Sequence, residues 1–183
     1  MKKYSLIILI LLLGCSLQAQ KFISKNGHIK FYSETKIETI EAHNHQVNCA
    51  LNTKTGDFVF KVLMKAFEFK KALMQEHFNE NYVESDKFPN ATFKGKIENL
   101  EEVDFDIAGI FDVVVKGELS LHGITKNVSE KGTLEVKNGF IIAKSTFKIK
   151  LEDYDIKVPN TVINNISETI DIIVDVSMEE YKK

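Results

Sequence analysis

Five histidines, His28, His43, His45, His77 and His122, are the first candidates for chemistry in this 183-residue chain. The tightest pair is His43-Asn44-His45, which invites a metal. Zinc centres take three or four protein ligands, with thiolates or carboxylates completing the set. The other histidines are distant in sequence and fall on different expected elements, so the pair reads as a solvated loop and no metal site is expected. Glu76-His77 could act as an acid–base pair, but adjacent residues on a helix point to different faces. Neither a Gly-x-Ser-x-Gly elbow nor a Gly-x-x-x-x-Gly-Lys loop occurs, so hydrolytic and phosphate-cradling signatures are missing. The acidic run from Glu101 to Asp106 lacks the glycine and terminal bidentate glutamate of an EF-hand loop and reads as a solvated connection. Cys49 alternates with Val47 and Leu51 as a small core residue of a strand. Neither an enzyme nor a cofactor is expected.

The elements that carry these residues are mostly strands. From residue 28 onward the apolar period is two: Phe58, Phe60, Val62 and Met64 share one face, as do Ile141, Ala143, Phe147, Ile149 and Leu151. The same alternation runs through Phe111, Val113, Val115, Gly117, Leu119 and Leu121. Strands with one wet face belong to antiparallel sheets. Turn chemistry at Thr55-Gly56, His122-Gly123 and Asn138-Gly139 joins them. The spacing predicts strands at 28–34, 46–53, 56–65, 91–98, 111–122, 125–136, 139–151 and 167–178. One segment, 69–82, instead places Met74, Phe78 and Tyr82 four residues apart, as a short amphipathic helix does. The expected fold is all-β, an eight-stranded antiparallel barrel with one short helix near its mouth. A barrel of that size fills with side chains or holds one small ligand.

The chain carries 24 basic and 26 acidic residues and contains no arginine. That near-balance, with scattered lysines, argues against nucleic acid as a partner. Met1-Lys2-Lys3 precedes eight aliphatic residues from Leu6 to Leu13, too few to span a bilayer. Basic start, short apolar run and small-residue exit read as an export signal. Cleavage after Ala19 would leave a single domain, 20–183, in the periplasm. Alternatively, Leu12-Leu13-Gly14-Cys15 is a lipobox-like exit that would make Cys15 a lipidated membrane tether.

Two stretches carry a resemblance. Phe88-Pro89-Asn90-Ala91-Thr92-Phe93, after the 69–82 helix, and Gly117-Glu118-Leu119-Ser120-Leu121-His122-Gly123-Ile124-Thr125-Lys126 resemble the YceI-like family of exported lipocalin-like proteins, in matching order. The resemblance covers about residues 27–178. It implies a carrier or sequesterer of a long isoprenoid or fatty lipid, with the tail inside the barrel and the head near the opening. Without arginine a bidentate guanidinium clamp on a diphosphate is unavailable, and lysine offers only a point charge.

Phe58, Phe60, Val62, Met64, Phe93, Val113, Val115, Leu119, Phe147 and Ile149 are therefore the expected cavity lining. Met74, His77, Phe78 and Tyr82 are expected at the mouth, where His77 or Tyr82 would meet the head group. The alternative is a structural or interaction module of the cell envelope whose barrel is filled by its own side chains. Long edge strands would allow a homodimer in either case.

Overall fold

Alternation dominates the architecture. The computed structural model describes residues 20–182; the expected export signal 1–19, with Cys15, lies outside the described residues. The strands are β1 (Lys21–Glu34), β2 (Thr39–Asn52), β3 (Asp57–Leu63), β4 (Glu68–Phe69), β5 (Asn90–Ile97), β6 (Gly109–Leu121), β7 (Ile124–Lys137), β8 (Phe140–Lys150) and β9 (Thr169–Glu180). Eight of them form one antiparallel barrel in the order β1-β9-β8-β7-β6-β5-β3-β2, closed by the β1–β2 pairing. Two-residue β4 adds to the upper end of β2, opposite Ala42 and His43. Closure gives every long strand two neighbours along part of its length, and unpaired edge remains only where the pairing of two neighbours stops short, as between β7 and β8.

β1 and β2 are longer than their alternation suggested because bulges interrupt it. Lys25 and Asn26 both face outward between Ser24 and Gly27, and His45 and Gln46 do so between Asn44 and Val47. An extra residue in one strand reverses the inside–outside parity beyond it. The second bulge is held by the buried Asn44. Its Oδ1 accepts the Gln46 backbone N–H at 2.9 Å, and its Nδ2 donates to the Leu63 carbonyl at 2.8 Å.

The two ends of the barrel differ. At one end Phe22, Leu51, Phe58, Leu134, Ile141 and Met178 are buried and packed together, and Val103 from the 98–108 connection joins the same core. Burying side chains of this size contributes roughly 1.5–3 kcal/mol each. Cys49 belongs to this packed half, where burial pushes its thiol up to about 12. It is expected to resist a disulfide reagent at pH 8 until denaturant is added; labelling at the rate of a free thiol would contradict its placement.

Toward the other end the inward side chains Phe60, Phe93, Val115, Leu119, Phe147 and Ile172 are only half-buried, because they face empty space. The one α-helix among the described residues, α1 (Ala72–His77), lies there and runs into a π-helical turn, Phe78–Tyr82. It is shorter than the predicted 69–82 because Phe69 is drawn into β4. A six-residue helix is unstable alone and depends on what it packs against.

Candidate functional site

The inward parity of β3, β5, β6 and β8 builds a cavity of about 400 Å³, within the usual range for small-molecule sites. All ten residues expected in its wall line it: Phe58, Phe60 and Val62 from β3, Met64 just beyond, Phe93 from β5, Val113, Val115 and Leu119 from β6, and Phe147 and Ile149 from β8. Met74, His77, Phe78 and Tyr82 line it as well, from the helical segment at the mouth. His77 is exposed and Tyr82 half-buried, so these two hold different positions at the rim. Burial pushes the Tyr82 phenol above its ordinary value.

Several lining residues escaped the sequence reading. Phe31, Phe67 and Phe69 surround Phe78, with ring centroids 5.5, 5.6 and 5.1 Å from it. This aromatic cluster seats the helix over the opening. Phe31 was legible in the β1 alternation; Phe69 was not, since its spacing matched the helix. A polar clasp lies beside the cluster. The Lys71 ammonium donates to Glu38 Oε1 at 3.1 Å and Asn165 Nδ2 donates to Glu38 Oε2 at 3.3 Å. The hydrogen bond from Lys71, and next the one from Asn165, holds the Glu38 carboxyl below its ordinary value. Ile37 and Leu73, which flank the clasp in the chain, and Ile163 are exposed.

The wall also contains a seam. β7 and β8 pair from Lys137↔Phe140 only as far as Gly132↔Ser145, while each continues to pair with its other neighbour. Residues 151–156 cover the gap, with Tyr154 and Ile156 buried. Lys126 Nζ lies 3.0 Å from Asp153 Oδ1, and His122 Nδ1 donates to the Tyr154 carbonyl at 2.9 Å. The other His122 nitrogen lies 2.8 Å from Glu84 Oε2, and Phe88 packs edge-on against the ring at 4.8 Å. His122 is thus a fastener between three connections and not part of the cavity wall.

Glu130 faces inward at this seam, in register with Val128 and Leu134. Burial pushes its carboxyl above its ordinary 4.5. An acid with a raised folded pKa costs stability as pH climbs from its unfolded value through the folded one, since the native state then holds the extra proton. Glu130→Gln is therefore expected to raise the melting temperature at pH 7 and to flatten the decline above about pH 4.5. An unchanged pH profile in thermal melts would contradict this reading of the seam.

The histidines contain a correction. His28 was expected to stand apart from His43 and His45, but the β1 bulge turns it outward beside them. The three rings are nearly parallel, with centroids 4.4–6.1 Å apart. Burial, followed by the neighbouring His45 and His43, holds His28 below its ordinary 6.5.

Comparison with known proteins agrees with the barrel. A polyisoprenoid-binding domain from Saccharophagus degradans superposes with a TM-score of 0.77 at 14% identity, covering 90% of this chain and 100% of that one. Burkholderia cenocepacia BcnA gives 0.65 at 11% identity, covering 82% and 95%. A Campylobacter jejuni YceI protein gives 0.57 at 14%, covering 75% and 81%. No curated protein matches the sequence. The YceI-like domain profile matches residues 20–178, the whole barrel from the start of β1 almost to the end of β9, so the chain belongs to the YceI-like domain family.

Proposed function

We propose that this chain is a non-enzymatic binder of a single long-chain lipid, exported through its first 19 residues, with the hydrocarbon tail in the barrel and an uncharged head at the mouth. The observation that carries this reading is the half-buried aromatic and aliphatic wall around about 400 Å³ of space, closed at one end and reached past the helix at the other. Burying a chain there would contribute about 0.8 kcal/mol per methylene. The polyisoprenoid-binding description of the Saccharophagus relative supports an isoprenoid tail.

The head group follows from charge. With no arginine in the chain a diphosphate has no bidentate clamp, and Glu38 and Glu130 offset Lys131 and Lys144 in the lining, so a prenyl alcohol or quinone-like head fits better. Competition against a fluorescent polyene lipid tests this. A long prenyl alcohol should displace the probe, and the matching prenyl diphosphate should do so at least about tenfold more weakly, a difference of about 1.4 kcal/mol. Equal or better displacement by the diphosphate would overturn the head-group assignment. Failure of every lipid to enter would favour a self-filled interaction module.

The basic start and short apolar run of 1–19 support periplasmic delivery. Cleavage at Cys15 would instead tether the barrel to a membrane. Both routes leave the binding reading unchanged.

A further inference from the structure

The outer face of β1 and β2 carries a group that the cavity does not use. We infer that His28, His43 and His45 form a three-imidazole site for a borderline divalent transition metal, zinc or copper, on the outside of the barrel. His28 Nε2 and His43 Nδ1 lie 3.0 Å apart. Two imidazole nitrogens bound tetrahedrally at about 2.0–2.1 Å from zinc would stand about 3.3 Å apart, so an ion would replace the hydrogen bond between the two rings after they spread by about 0.3 Å and tilt toward it. All three ligand nitrogens fall within 4.8 Å of one another.

The surroundings fit metal ligation. His43 Nε2 lies 3.0 Å from Glu41 Oε1, which keeps the ring proton on Nε2 and leaves the Nδ1 lone pair toward His28. Lys30, 3.4 Å from Glu41 Oε1, and Tyr32 fix that carboxylate in turn. A carboxylate behind a histidine ligand is the usual means of setting its tautomer and orientation. His45 is the exposed member; its ring lies face to face on His28 and must turn edge-on to offer its lone pair to the same ion, which its exposure allows without disturbing the core. Both bulges serve the grouping: one turns His28 outward, and the other sets His45 opposite it. Three neutral imidazoles suit zinc, copper and nickel, and the Irving–Williams order places copper ahead of zinc at a site this open.

The site is independent of the lipid reading, because Ile29, between His28 and Lys30, faces the opposite side of the sheet and lines the cavity. A bound ion would join β1 to β2 across the strand pair that closes the barrel.

The experiment is titration of the purified protein, free of any histidine tag, with Zn²⁺ and Cu²⁺ by calorimetry and by thermal melting. One ion per chain should bind, with an upward shift of the melting temperature. His45→Ala, a change at an exposed position, should keep the far-ultraviolet circular dichroism spectrum and weaken binding by at least about tenfold, and Glu41→Gln should weaken it by roughly 10–100-fold. Copper bound to the wild type should show a multi-nitrogen signature in electron paramagnetic resonance that His28→Gln reduces. Absence of stoichiometric binding, or affinity unchanged by His28→Gln and His45→Ala, would overturn the assignment.

Discussion

Replacing Phe147 with glutamate should leave a folded barrel that no longer retains a long-chain lipid. Phe147 projects from β8 into the cavity and is only half-buried, so its loss should spare the closed, fully packed end. A carboxylate there would lie in an apolar wall near Glu130, on the strand across the seam. An uncompensated buried charge costs roughly 3–5 kcal/mol. At about 1.4 kcal/mol per tenfold, lipid affinity should fall by two orders of magnitude or more. Phe60→Asp should act alike from β3, where Phe60 packs against Phe58 at 4.7 Å and Phe93 at 6.4 Å. Equilibrium binding of the polyene probe, with circular dichroism to confirm folding, measures both. Undiminished binding in a folded variant would remove Phe147 and Phe60 from the site.

The second large effect falls on stability. Gly95 and Gly117 pair across β5 and β6, and a side chain at position 117 would run into the Lys94 carbonyl and the Gly95 Cα. Both obstacles are backbone, so no rotamer change relieves them. Gly117→Val is expected to destabilise the barrel by about 3 kcal/mol or more, at the upper end of what overpacking costs. That is a large share of a typical folding free energy of roughly 5–15 kcal/mol. The urea midpoint should fall, with Gly117→Ala between wild type and valine. A midpoint within error of wild type would show that the strands can separate at this point.

The barrel was legible because alternation is a local property. Phe58, Phe60 and Val62, or Val113, Val115 and Leu119, announce an inward face without reference to distant residues. Alternation fails where parity breaks. The bulges at 25–26 and 45–46 hid the first halves of β1 and β2, and with them the meeting of His28 with His43 and His45. Glu130 was readable in principle from its parity with Val128 and Leu134, but Ser129-Glu130-Lys131 looks like solvated strand when polarity alone is weighed. The closed end, the seam and its cover at 151–156 depend on long-range packing, which no residue spacing records. The motif stretch around His122 carried the resemblance, yet its histidine fastens connections and lies outside the cavity wall.

Native mass spectrometry of the protein expressed from its full sequence, followed by organic extraction and identification of the released compound, tests the lipid-binding claim most directly. The expected result is a stoichiometric mass increment that disappears on extraction and belongs to a long-chain lipid with an uncharged head. A clean apo mass, unchanged after incubation with prenyl and fatty lipids, would contradict it.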